Sequence, residues 1–253
     1  MTPILQTRAL TRRFGALVVA DKIDFALATG DRHALIGPNG AGKTTFVNMV
    51  SGRLAPSSGT VWLGGEDVTG LRQAARVKRG LVRTFQINTL CLHMTVLENL
   101  LLALCERERL AWNPWRPLGR WHPAIDEANG LLRQFELQAR ADLLVAELPY
   151  GEQRMVEILL ALALKPRVLL LDEPAAGVPA GESQRILDAL ALLPADMAIL
   201  IIEHDMDIVF RFATHITVLH EGRMVAAGPS DAIAADAHVQ AIYFGRSAGA
   251  SHG

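Results

Sequence analysis

A glycine-rich stretch at residues 37–45, directly after the apolar run at 34–36, constrains this chain most. It fits the pattern G-x-x-x-x-G-K-[ST] of a phosphate-binding loop. Its glycines permit positive φ angles and a close approach of the backbone, so that successive N–H groups can point at phosphate oxygens. We therefore predict a strand, an anion-binding turn and a helix over about Lys43 to Ser51. The turn consists of Gly37, Pro38, Asn39, Gly40, Ala41, Gly42, Lys43, Thr44 and Thr45.

Two side chains of this loop have predicted tasks. Lys43 is placed to reach the terminal phosphates of a nucleotide, and Thr44 offers a hydroxyl to Mg²⁺. The helix N-terminus adds the positive end of its dipole. Kinases, GTPases and motor ATPases share such a loop, so it does not identify the class of enzyme.

Composition narrows the classes of protein. A chain of 253 residues, half of them apolar, can bury a large core, and a net charge of −1 disfavours nucleic-acid partners. Cys91 and Cys105 lack metal-ligand spacing, and we expect both to be buried thiols in a reducing compartment. The N-terminus does not follow a signal-peptide pattern, and no apolar run approaches the roughly 18 residues of a membrane span. A cytoplasmic protein is expected.

Two apolar runs later in the chain end in polar residues. Residues 168–171 precede Asp172 and Glu173, and residues 198–202 precede Glu203 and His204. Continuous apolar runs are typical of strands buried in a parallel sheet, where ligands bind at the carboxyl ends of the strands. We therefore expect Asp172 and Glu173 to face the same site as Lys43. A histidine at the end of a strand is not, by itself, evidence of catalysis.

Residues 91–160 interrupt the alternation of strands and helices and are predicted to be helical. A helix over about 94–109 is expected to begin at Thr95, because Glu98 completes a capping-box pattern. Residues 112–123 hold three tryptophans among three prolines and cannot form a regular helix. They are either a loop folded on its own aromatic rings or a docking surface for a partner or lipid headgroups.

Two further features remain ambiguous on residue type alone. Phe14 is suited equally to stacking on an adenine ring and to packing at a sheet edge. Residues 148–154 form a glycine-containing turn that opens a helix, which makes them a second candidate anion site.

The order of these motifs resembles that of the ABC-type ATPases over nearly the whole chain. The resemblance implies an α/β P-loop NTPase fold, with a RecA-like parallel core sheet, an N-terminal antiparallel β subdomain and an inserted helical subdomain. It implies one domain, with the core at 1–90 and 161–253 and the helical subdomain at 91–160. It also implies that ATP and Mg²⁺ bind and that ATP is hydrolysed.

The same resemblance implies roles for individual residues. Phe14 would stack on adenine, and the loop at 37–45 would hold the phosphates. Residues 148–153 match the family signature, in which Gly151 and Glu152 would contact a nucleotide. The remaining implied roles concern Mg²⁺ and hydrolysis. Gln86 would contact Mg²⁺ and sense the membrane partner, and Asp172 would orient Mg²⁺. Glu173 would be the general base, and His204 would contact the γ-phosphate.

Four segments, at 82–86, 94–100, 172–177 and 202–206, are similar to the ATPases of branched-chain amino acid importers, and importers of urea, amides or aromatic acids share them. The resemblance implies a peripheral protein on the cytoplasmic face of the cell membrane. Its expected partners are membrane permease subunits, a second ATPase subunit that is identical or paralogous, and indirectly a solute-binding protein. A soluble ABC ATPase acting on nucleic acid or the ribosome, and a regulator that does not hydrolyse ATP, are the alternatives.

The chain departs from the family pattern at two places. Pro149 replaces the signature serine and offers neither a hydroxyl nor an N–H to a phosphate. Glu152 follows, and a carboxylate near phosphate would repel it, so weaker nucleotide-induced closure is expected. Val178 stands where relatives carry Asn or Asp, and it cannot make the hydrogen bonds of those residues across a dimer.

Overall fold

The computed structural model describes residues 2–84, 90–108, 122–178 and 180–244. The strands fall into two sheets. In chain order they are β1 (Leu5–Phe14), β2 (Leu17–Leu27), β3 (Arg32–Ile36), β4 (Ser58–Leu63), β5 (Glu66–Asp67), β6 (Leu81–Arg83), β7 (Val168–Asp172), β8 (Ala198–Ile202), β9 (His215–His220) and β10 (Arg223–Pro229).

The first sheet is antiparallel, and its strands lie in the order β2, β1, β4, β5. The second has the order β10, β9, β3, β8, β7, β6, and every pairing in it is parallel except that of β9 with β10. The predicted combination of an antiparallel N-terminal sheet with a parallel core sheet is confirmed.

The central strands of the parallel sheet are buried on both faces. All five residues of β8 are buried, as are the first four of β7. Side chains alternate between two apolar clusters, so that Leu169 and Leu171 belong to one cluster and Leu170 to the other. This double burial explains why the sequence of these strands is continuously apolar.

The helices connect the strands and cover the sheet. In chain order they are α1 (Lys43–Ser51), α2 (Gln73–Val77), α3 (Val96–Arg107), α4 (His122–Gln134), α5 (Tyr150–Ala163), α6 (Ala180–Ala191), α7 (Met206–Phe212), α8 (Ser230–Ala235) and α9 (Ala237–Phe244). The predicted limits of α1 are those observed, and the capping box of Thr95 and Glu98 at the start of α3 is confirmed.

The helical segment packs directly on the sheet. Leu100 of α3, Leu132 of α4 and Leu159 of α5 lie in the same buried cluster as Leu169 and Ile201 of the strands. The division into a core at 1–90 and 161–253 and a helical subdomain at 91–160 stays a prediction. Within the described ranges, no helix is long and apolar enough to cross a membrane.

One cysteine prediction is wrong. Cys105 is buried on α3, but Cys91 is exposed in the turn that precedes this helix. The backbone of Cys91 is held by the side chain of Asn99, which accepts from its N–H at 2.9 Å and donates to its carbonyl at 3.1 Å. The turn is thus fixed through its backbone, so the thiol need not pack in the core. Gln86 and the tryptophans at 112, 115 and 121 lie outside the described residues.

Candidate nucleotide site

The register of the parallel sheet brings the predicted site residues to one edge. Ile202 of β8 pairs with Leu35 of β3 on one side and with Asp172 of β7 on the other. Strands in parallel register end at the same edge, so the loop after β3 and the polar residues after β7 and β8 emerge together. The sequence-based expectation that the phosphate loop and the two acids share an edge agrees with this register.

The phosphate loop lies tightly against neighbouring backbone at two of its glycines. A Cβ at Gly37 (φ 155°) would come within 2.2 Å of the Leu219 carbonyl oxygen, and one at Gly42 (φ 99°) within 2.5 Å of the Val19 carbonyl oxygen. Both positions therefore exclude larger residues. Gly40 (φ 80°) has nothing within 4 Å of such an atom, so its requirement is conformational.

Lys43 folds back into the loop that precedes it. Its ammonium donates to the Gly37 carbonyl and, at 3.2 Å, to the Pro38 carbonyl. Burial lowers the pKa of Lys43, and the charges of Glu173 and Asp172 act in the opposite direction. The lysine and the two carboxylates thus interact electrostatically across the edge of the sheet.

The N-terminus of α1 offers free donors to an anion. Gly42 is its N-cap, no side chain caps it, and its first turn contains no acidic residue. Thr44 is exposed in that turn. Unpaired N–H groups at a helix N-terminus are a ready binding site for phosphate.

Asp172 and Glu173 have different surroundings. The Oδ2 atom of Asp172 accepts from Arg83 Nη2 at 2.5 Å, whereas Glu173 is about one-third exposed. Glu173 adopts φ 47°, which is uncommon for a residue with a side chain, and its N–H donates to the Ile202 carbonyl at 2.9 Å. His204 Nδ1 lies 3.5 Å from Glu173 Oε1.

Glu203 is a site neighbour to which the sequence assigns no role. It is 1% exposed, and its carboxylate accepts from the backbone N–H of Ala175 at 3.3 Å and of His204 at 3.2 Å. Burial raises its pKa, and the two backbone hydrogen bonds oppose this effect. Glu203 therefore connects the turn after Glu173 to the backbone of His204. In the sequence, the position of an acidic residue directly after a buried strand is the signal that could identify Glu203 as part of the site.

The donor set suits Mg²⁺. Thr44 and Asp172 provide a hydroxyl and a carboxylate, which are the hard oxygen ligands that Mg²⁺ prefers. Among the described residues, no group of three His, Cys, Asp or Glu side chains forms a metal cage. A magnesium ion here would have to take further ligands from phosphate and water, as is usual for this metal.

The structure accommodates both departures from the family pattern, one in the signature turn and one at Val178. Pro149 is the N-cap of α5, and Gly151 is buried in its first turn. The carboxylate of Glu152 is not left to repel phosphate, because Arg140 binds it through two nitrogens at 2.9 and 3.2 Å. Val178 packs against the larger apolar cluster, which accounts for an apolar residue at this position.

Phe14 stands at the end of β1 and is 48% exposed. The guanidinium of Arg12 lies over its ring, with its central carbon 4.5 Å from the centroid. The exposed fraction leaves ring surface available for stacking, and both sequence-based readings of Phe14 remain open.

Comparison with known proteins decides the family. Residues 20–176 match the family described as "ABC transporter". The chain belongs to the ABC transporter family. The predicted family membership and fold class are thereby confirmed, and the protein is an ABC ATPase that binds and hydrolyses ATP.

The ABC ATPase is similar to curated proteins over almost its full length. It is 34% identical to the high-affinity branched-chain amino acid transport ATP-binding protein BraF of Pseudomonas aeruginosa, over 96% of this chain and 98% of the relative. It shows the same identity, over the same shares of the two chains, to the protein LivG of Escherichia coli K12, which carries the same description.

Solved structures agree with this family. A nucleotide-free ATP-binding cassette from an ABC transporter superposes with a TM-score of 0.83 at 31% identity, covering 96% of this chain and 99% of the other. A cassette in its ADP conformation gives a TM-score of 0.84 at 32% identity, covering 97% of this chain and 100% of the other.

Proposed function

We propose that this ABC ATPase binds and cleaves MgATP with Lys43, Asp172, Glu173 and His204 and thereby drives a membrane importer of a small solute. The single observation that supports the site is the shared register that brings the ends of β3, β7 and β8 to one edge. Branched-chain amino acids are the proposed solutes, because the curated relatives named above carry that description.

Binding of the triphosphate begins with a change of partner at Lys43. The ammonium now donates to the carbonyls of Gly37 and Pro38. Phosphate oxygens are charged and therefore stronger acceptors than these carbonyls, so Lys43 would exchange its bonds for them. The N–H groups of 37–45 and of the first turn of α1 would hold the remaining oxygens, and Phe14 would stack on the adenine.

Thr44 and Asp172 are the described residues proposed to hold Mg²⁺, the threonine directly and the aspartate through a water molecule. The metal, when bound, neutralises charge on the phosphates and so favours the attack of water. Gln86 is proposed as a further ligand and as the sensor of the membrane partner.

Hydrolysis requires a base and a group that retains the terminal phosphate. Glu173 would accept the proton of the attacking water, and the hydrogen bond from its N–H to the Ile202 carbonyl holds it at the end of β7. His204 would donate to the terminal phosphate from the end of β8, 3.5 Å from Glu173. The products are ADP and inorganic phosphate.

A second ATPase subunit is proposed to complete the site. In the described residues, the side-chain hydrogen bonds that the signature turn makes to other elements go to Arg140 and Ala176 and not to the phosphate loop. Gly151 and Glu152 would therefore meet the nucleotide of another subunit, either a copy or a paralogue. One chain alone then contains half of each active site.

A basic groove supports the proposed permease partner. It encloses about 1230 Å³ between α2 and the end of α1 on one side and the ends of α3 and α5 on the other. Its exposed charges are mainly positive, with two acids, Glu66 and Glu106, among them. An acidic cytoplasmic segment of the permease would complement it. The exposed basic residues are Arg53, Arg72, Lys78, Arg79, Lys165 and Arg167.

The decisive experiment is reconstitution. The ATPase is purified with the membrane protein that it captures, and ATP hydrolysis and uptake of leucine, isoleucine and valine are measured in proteoliposomes. We expect hydrolysis that rises with permease and solute-binding protein. Hydrolysis stimulated by nucleic acid or ribosomes would favour the soluble alternative, and ATP binding without hydrolysis would favour the regulator.

A further inference from the structure

A buried arginine holds one of the two acids at the nucleotide site. Arg83 donates through Nη2 to Asp172 Oδ2 at 2.5 Å and through Nη1 to Asn48 Oδ1 at 2.6 Å. Its side chain is 5% exposed, against 22% for that of Asp172. The guanidinium is thus fixed at two of its nitrogens by two different elements.

The position of Arg83 follows from the sheet. Arg83 is the last residue of β6 and pairs with Leu170 of β7, two residues before Asp172. Asn48 lies on α1, the helix that begins at the phosphate loop. Arg83 therefore joins β6, β7 and α1 at the edge where the site lies, and it precedes Gln86 by three residues.

A buried arginine of this kind adds little to the stability of the fold, which indicates a functional role. Burying a charged pair costs desolvation energy, and apolar residues of similar volume are often at least as stable. The planar guanidinium, however, bonds Asn48 through one nitrogen and Asp172 through another, which fixes its orientation in a way that a point charge does not. Among the described residues, Asp172 Oδ1 has no hydrogen-bond partner. The hydrogen bond from Arg83 to Oδ2 therefore leaves Oδ1 available to a ligand.

We propose that Arg83 is a positioning residue of the metal site: it holds Asp172 by Oδ2, with Asn48 as its anchor, so that Oδ1 is directed to a water molecule of Mg²⁺. The inference rests on the proposed function, in which Asp172 orients the metal. Groups that orient a metal-holding side chain typically contribute 10- to 100-fold to metal affinity.

Equilibrium binding of nucleotide distinguishes a role of Arg83 at the metal site from a general effect on the stability of the fold. The affinity for a non-hydrolysable ATP analogue is measured by calorimetry with Mg²⁺ and again with EDTA, for the wild type and for Arg83→Met. We expect the two proteins to agree within about twofold in EDTA, because the hydrogen bonds of Arg83 within the described residues go to Asp172 and Asn48, outside the phosphate loop. With Mg²⁺, the tightening seen in the wild type should fall by roughly tenfold or more in the variant.

Two milder variants keep the test valid if Arg83→Met does not fold. Arg83→Lys retains the charge but lacks the planar group that bonds Asp172 and Asn48 through two separate nitrogens. Asn48→Ala leaves the pair with Asp172 and removes only the anchor. Both should show a smaller loss of Mg²⁺-dependent tightening, with thermal unfolding confirming that they are folded.

The outcomes distinguish the inference from the proposed function. Folded Arg83 and Asn48 variants that keep the full Mg²⁺-dependent tightening overturn the inference alone. A variant that loses the same affinity in EDTA as in Mg²⁺, or that binds Mg²⁺ more tightly, also overturns it. A wild type without Mg²⁺-dependent tightening contradicts the proposed function, and the inference falls with it.

Discussion

His204 Nδ1 lies 3.5 Å from Glu173 Oε1, although the two residues are 31 positions apart in the chain. Glu173 directly follows the last residue of β7, and His204 lies two residues after the last residue of β8. The two strands are neighbours in parallel register. The N–H of Glu173 donates to the carbonyl of Ile202, the last residue of β8. The proposed base and the histidine are therefore positioned by the same pair of strands.

Replacement of Glu173 by Gln should leave ATP binding intact and lower turnover by about 10²–10⁴, the usual contribution of a general base. The amide keeps the shape of the side chain but cannot accept the proton of water. Steady-state hydrolysis and nucleotide affinity are measured on the same preparation. Glu147→Gln is the matched control, because Glu147 is exposed at a capping position that Gln also serves. Turnover within a few-fold of the wild type would exclude Glu173 as the base.

Replacement of Lys43 by Ala should weaken ATP binding itself by roughly 10- to 100-fold, since a charge-assisted hydrogen bond contributes about 1.5–3 kcal/mol. Calorimetric titration with ATP gives the affinity. Lys78→Ala, which removes an exposed lysine from the groove near the end of α1, should bind ATP like the wild type. Equal affinities of the wild type and Lys43→Ala would contradict the proposed role.

The elements that the sequence predicts well are those with local causes. Helix α1 has the predicted limits because the loop glycines start it, and the box of Thr95 and Glu98 fixes the start of α3. The strand at 198–202 is continuously apolar because both of its faces are buried. In each of these cases neighbours in the sequence decide the structure.

The features that the sequence does not reveal depend on contacts between distant residues. Nothing near Glu152 indicates that Arg140 compensates its charge, and Arg83 has no local mark of its contact with Asp172, 89 residues later. Residue type predicts a buried Cys91, but the turn before α3 exposes it. Such details need the register of the sheet and the packing of the helices.

His33 should make the protein less stable in acid. Burial lowers its pKa to about 4 from an ordinary value of 6.5, and the neighbouring His215 acts in the same direction while Asp31 opposes it. The buried ring contacts Thr217 Oγ1 at 2.8 Å. Below pH 6.5 the unfolded chain takes up a proton that the folded chain does not, so the free energy of unfolding decreases until about pH 4.

The full loss from this histidine amounts to about 3 kcal/mol. Urea unfolding of the wild type and of His33→Gln between pH 4 and 7 measures it, because glutamine keeps a hydrogen bond to Thr217 without titrating. The variant should show a flatter dependence by that amount. His238→Gln, at an exposed histidine on α9, should follow the wild type. Parallel curves for His33→Gln and the wild type would show that His33 does not titrate as its burial predicts.

Charge reversal in the basic groove should separate the ATPase from its membrane partner. Arg72 and Lys78 are exposed in the groove on the α2 side and lie outside the proposed hydrolytic residues. Because like charges across an interface cost several kcal/mol, the double variant Arg72→Glu, Lys78→Glu should bind detergent-solubilised permease at least roughly tenfold more weakly. Binding of the wild type should also weaken as salt is raised. ATP binding by the isolated chain should not change. The control Lys22→Glu, Arg133→Glu reverses two exposed charges outside the groove. If the control loses as much affinity as the groove variant, net charge rather than the groove governs docking.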